Sequence, residues 1–99
     1  MDPEIFETHC FLCGSVAQCR DTDSGNRRHF RCTSTTCGEC EISHAAMGRL
    51  DTSMDFKNHA SAEISRLRDP DNIYEIVFDA TTGCVSGEVV TRRQELRKW

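Results

Sequence analysis

Between His9 and His44 the chain holds six of its seven cysteines and three of its four histidines. Thiols crowded into about a third of a 99-residue chain constrain its fold more than any other feature. Sulfurs that must meet at one point dictate where two turns lie. Either disulfides or a metal could bring them together. The cysteine count is odd, and the opening segment MDPEIFETHC is acidic, without the basic and apolar regions of an export signal. No apolar run approaches the ~18 residues of a membrane span. The expected setting is a reducing cytoplasm, with no membrane, where C-x2-C pairs are metal ligands more often than disulfides. Zinc is the expected ion.

A tetrahedral zinc takes four ligands, with thiolate sulfur at ~2.3 Å. Cys10 and Cys13 form one C-x2-C pair, and the tight turn between them aims both sulfurs at one point. The second pair has two solutions, Cys32-x4-Cys37 and Cys37-x2-Cys40. In HFRCTSTTCGECEI, Phe30 and Cys32 alternate on one face of an incoming strand, and Cys40 and Ile42 share a face of the outgoing one. That pattern favours Cys10, Cys13, Cys32 and Cys37 as the ligands. The set Cys10, Cys13, Cys37 and Cys40 stays open as the alternative. Cys19 and Cys40 otherwise read as small buried thiols.

Along the chain, residues 1–50 read as a zinc ribbon-like unit, with a turn at DTDSGN and a short helix at HAAMGRL. Residues 51–69 read as a helix with Thr52 or Ser53 as its cap and Phe56, Ala60, Ile64 and Leu67 as its apolar stripe. IYEIVFDATTGCVSGEVV reads as a β-hairpin, and TRRQELRKW as a short helix or frayed end. The expected fold class is α+β: a small N-terminal zinc ribbon-like unit plus a central helix and a C-terminal β-hairpin, with 51–99 packed into the same compact domain. At 37% hydrophobic residues, a chain this small gains from a metal staple.

Residues 9–50 resemble the Ogr/Delta-type zinc fingers, a phage protein family of late-transcription activators. HCFLC supplies the start of that pattern, Ala17 and Arg20 its small and basic positions, and HFRCTSTTC its second half. The resemblance implies zinc on Cys10, Cys13, Cys32 and Cys37 and contacts to DNA and host RNA polymerase. Phe11 stands where the family has Pro, and Asp21-Thr22 replaces a Thr-Ser pair after Arg20. Residues 51–99 lie outside the resemblance.

Net charge is −4. Five Arg/Lys face seven Asp/Glu in residues 1–50, and seven face nine in residues 51–99, so neither half carries a broad positive field. Four thiolates around one zinc add further negative charge. Arg20, Arg27, Arg28 and Arg31 are the candidate contacts to nucleic acid or a partner. H-E-x-x-H, deaminase H-x-E, G-x-S-x-G and phosphate-loop motifs are absent, and four thiolates leave no open metal position, so no enzyme is expected. The expected function is transcription regulation or inhibition through protein–protein interaction. The host partner would be RNA polymerase or a defence ribonucleoprotein, the latter making it an anti-CRISPR. A DNA-contacting activator is the alternative.

Overall fold

The computed structural model describes residues 5–32, 38–49, 54–67 and 70–97. Alternation of apolar and polar side chains marks six strands among these residues: β1 (Phe6–His9), β2 (Val16–Thr22), β3 (Arg27–Cys32), β4 (Glu39–Ser43), β5 (Asn72–Asp79) and β6 (Cys84–Thr91). They form one sheet in sequence order, β1-β2-β3-β4-β5-β6. All neighbours are antiparallel except β4 and β5, which run parallel. A parallel pair needs a crossover of a dozen or more residues. Here it contains α1 (His44–Met47) and α2 (Met54–Arg66).

Period-two alternation sorts the side chains onto two faces. Ala17, Cys19, Phe30, Cys40, Ile42, Tyr74 and Ile76 share one face and form the apolar core with Cys10, Ala46, Ala60 and Ile64. The helix covers that face. Ala60 and Ile64 are buried, and Phe56 and Leu67 pack against the cluster, so the stripe at helical spacing points inward as the sequence suggests. Each of the fully buried isoleucines in this cluster, Ile42, Ile64 and Ile76, contributes about 1.5–3 kcal/mol of burial free energy. Thr52 and Ser53, the expected cap residues, lie outside the described residues. The short α1 is capped by Ser43, whose hydroxyl accepts from the Ala46 amide at 3.1 Å.

The expected division into a ribbon-like unit, a central helix and a C-terminal hairpin is overturned. One continuous mixed sheet organises the chain into a small, predominantly β fold, and its strands come from both sides of residue 50. The physical reason lies in β4 and β5. Cys40 and Ile42 align with Tyr74 and Ile76, so both strands present the same apolar face to α2, and lateral pairing buries it continuously. The hairpin β5–β6 is therefore the continuation of that sheet. No described helix is long and apolar enough to cross a membrane.

Gly87 has a specific task in that hairpin. A β-carbon there would collide with the Tyr74 hydroxyl and ring, so the missing side chain makes room for a buried aromatic. Gly87→Ala should destabilise the fold by about 1–3 kcal/mol through overpacking. Adding Tyr74→Leu should recover part of that loss, which a double-mutant cycle in denaturant would show as non-additivity.

Candidate metal centre

The loop after β1 and the end of β3 bring the thiols together. The first joins β1 to β2. The Cys10 amide donates to the Ser15 carbonyl at 2.7 Å, and the Gly14 amide donates back to the Cys10 carbonyl at 2.8 Å. Gly14 takes φ = 78°, a left-handed conformation that a side chain would strain. This turn points Cys10 into the protein and leaves Cys13 exposed. Phe11 fixes the loop to the core, its ring edge-to-face on Phe30 at 4.9 Å. Phe11 is thus a packing anchor for the loop. The end of β3 is held by the Cys32 amide donating to the Gly38 carbonyl at 3.0 Å.

Cys10, Cys13 and Cys32 meet there, with all three sulfurs within 4.8 Å of one another. The Cys13 and Cys32 sulfurs are 3.4 Å apart, too far for a disulfide at ~2.05 Å. Sulfurs around a tetrahedral zinc at ~2.3 Å lie ~3.8 Å apart, so this spacing and this soft donor set suit a metal ion. Three close thiols that could hold a metal are what the structure shows. Cys37 lies outside the described residues. Cys40 is described and does not join the group; it sits in the core at 1% exposure. Burial pushes its thiol well above the ordinary thiol range, and negative charge at Cys10 and Cys32 adds to the rise. Cys19 is likewise a buried core thiol, and burial raises its pKa too. Cys84 is exposed at the start of β6.

The candidate arginines do not gather into a patch. Arg20 is only 6% exposed and donates to the Glu95 carbonyl at 2.8 Å. Arg27 donates to Glu75 at 2.8 Å and to Glu41 at 3.2 Å. Arg28 lies on the opposite face, paired with Asp21 at 3.1 Å and stacked over the Phe6 ring at 5.0 Å. Arg31 is exposed.

Arg20 and Arg27 belong to a network on the polar face of the sheet. The segment after β6 folds back over this face. Arg92 makes two bonds of 2.8 Å to Glu39, and Arg93 makes bonds of 2.6 and 2.8 Å to Glu41. Glu41 is 1% exposed and also accepts from the Thr22 hydroxyl at 2.8 Å. His29, fully buried, bridges Glu39 through Nε2 at 2.7 Å and Arg20 through Nδ1 at 3.4 Å. That geometry suits a neutral ring donating from Nε2 and accepting at Nδ1. Burial lowers the His29 pKa despite the neighbouring Glu39. Burial alone would raise Glu39, but bonds from Arg92 and His29 outweigh it and hold the carboxyl at about 2. Glu41 is depressed in the same way, chiefly by Arg93 and Thr22 against the cost of burial. The sequence carries little warning of this network, since RRQELRK looks like an ordinary solvated face. The one usable cue is period-two placement of Glu39 and Glu41 on a strand whose alternate residues are core.

Comparison with protein-family models, curated proteins and solved structures finds no match to this chain.

Two outcomes are expected from this geometry. Cys32→Ser should lose bound metal while Cys40→Ser retains it, as read by elemental analysis of the purified variants. Stability should also fall with acid in two stages. His29 binds protons more readily unfolded than folded, so stability drops as pH falls through its ordinary value of 6.5. Glu39 and Glu41 contribute fully above 4.5 and lose that contribution as pH falls, for Glu39 toward about 2. Denaturant midpoints measured from pH 8 to pH 3 should decrease throughout, and His29→Gln should flatten the upper part of the profile.

Proposed function

We propose that this chain is a small zinc-stapled regulatory protein that acts by binding a nucleic-acid-processing protein complex, without catalysis and with DNA contact secondary. Zinc would be held by Cys10, Cys13, Cys32 and Cys37. Support for the fourth ligand comes from the chain itself. Cys32-x4-Cys37 offers a further thiol at a spacing that suits a ligand pair. Four thiolates complete the coordination shell, so the ion would be structural. Such ions contribute ~10–16 kcal/mol of apparent binding energy in finger peptides, enough to decide whether a domain this small folds.

The observation that carries the protein-partner reading is the fate of the arginines. The side chains of Arg27, Arg92 and Arg93 are engaged with the carboxylates of Glu39, Glu41, Glu75 and Glu95, Arg20 is engaged with the Glu95 carbonyl, and Arg28 with Asp21. Neutralising phosphates would require breaking these bonds, and a bound zinc tetrathiolate would add negative charge at the knuckle. Exposed apolar side chains offer an alternative contact. Ile5, Phe6 and Val16 are 47%, 36% and 46% exposed on or beside the β1–β2 edge. The Ogr/Delta resemblance over residues 9–50 is what points to RNA polymerase as the partner. A defence ribonucleoprotein, the target of an anti-CRISPR inhibitor, has the same chemistry: a basic nucleic-acid channel that an acidic domain can occupy. The cytoplasm is the compartment where either would be met.

Fluorescence anisotropy with labelled duplex DNA across a salt series tests this. The zinc-loaded protein should show no micromolar duplex binding near physiological salt, yet bind purified RNA polymerase or a defence ribonucleoprotein with an affinity reduced by Val16→Asp. Micromolar duplex binding that weakens steeply with salt and disappears in Arg31→Glu would overturn the reading in favour of a DNA-contacting activator.

A further inference from the structure

The two edges of the sheet are protected very differently. β1 is only four residues long and carries Glu7 and His9, both devices that discourage a stray strand from pairing. β6, at the other edge, runs for eight residues, Cys84–Thr91, in unbroken register with β5 and without a bulge. Its sequence CVSGEVVT contains no Pro or Lys and one charge, Glu88, with β-branched residues at 85, 89, 90 and 91. Among the described residues, no backbone hydrogen bond reaches β6 from its outer side. Val89 is 48% exposed on the same face as the core residue Tyr74, with which it pairs. A long, regular, nearly uncharged edge of this kind is a template for another strand.

We propose that the strand it pairs with is β6 of a second copy, giving a two-fold dimer with one continuous twelve-stranded sheet. The sequence of β6 selects a register for such pairing. A two-fold axis perpendicular to the sheet keeps each face on the same side in both copies, so paired residues must share parity. An axis through Glu88 would place two carboxylates directly opposite, which is destabilising. An axis through Gly87 instead sets Gly87 against itself, Glu88 against Ser86 and Val89 against Val85. The half-exposed valines would then cover one another on the helix-bearing face, and each carboxylate would meet a neutral hydroxyl on the other. The exposed apolar residues near β1 stay available, so dimerisation leaves the proposed partner surface open.

The register makes the test charge-specific. Ser86 is exposed, so substitutions there leave the monomer fold intact. Sedimentation equilibrium of the zinc-loaded, full-length protein under reducing conditions should show a concentration-dependent dimer. Ser86→Lys places a cation opposite the partner's Glu88 and should tighten the dimer. Ser86→Glu places a carboxylate there and should weaken it about tenfold or more, because the symmetry counts each change twice. Cys84→Ser should leave the wild-type dissociation constant unchanged. A wild-type protein that stays monomeric at millimolar concentration overturns the proposal. So does a dimer that responds alike to both Ser86 variants, or one lost in Cys84→Ser.

Discussion

Strand β4 is the constraint on which both faces of the molecule depend. Five residues, Glu39 to Ser43, pair antiparallel with β3 and parallel with β5, so this strand joins the N-terminal meander to the C-terminal hairpin. Its alternation divides the chemistry. Cys40 and Ile42 enter the apolar core beneath the helix, while Glu39 and Glu41 accept the arginines of the C-terminal segment on the other face. A one-residue slip would drive two carboxylates into the core and two apolar groups into the ion network. Removing one partner of a buried pair costs about 3–5 kcal/mol, so the network opposes such a slip even where its net contribution to stability is small.

The start of β4 is pinned to the end of β3 by the Cys32–Gly38 hydrogen bond, and Gly38 lies against α2, where an added β-carbon would come within 3.1 Å of the Ile64 side chain. The thiol cluster, the start of β4 and the helix are therefore mechanically coupled. An ion binding Cys10, Cys13 and Cys32 would tie the first hairpin to the strand that organises the rest. In that arrangement a metal would contribute a fixed shape.

Much of this was legible in the sequence, residue by residue. The Cys10–Cys13 turn, the strand character of RHFRC and ECEIS, and the inward stripe from Phe56 to Leu67 all follow from spacing and alternation. What pattern alone does not supply is lateral order. Nothing local in NIYEIVFD says that it pairs parallel to ECEIS across a crossover, and without that pairing the chain reads as a ribbon beside a separate helix and hairpin. The arginines show the same limit. Arg20 and Arg27 look like surface cations until the C-terminal segment and the glutamates of β4 and β5 are brought beside them by tertiary structure. His29, silent in the sequence, becomes meaningful only when Glu39 and Arg20 flank it.

In the proposed reading, one ion ties the Cys10–Cys13 turn to the end of β3 as an inert structural centre. Zinc K-edge X-ray absorption on freshly purified, reduced protein tests it most directly. The expected spectrum has a single shell of four sulfurs at ~2.3 Å with no nitrogen or oxygen scatterer. A mixed shell with a water-derived oxygen, or a folded protein without an absorption edge for zinc, would contradict it.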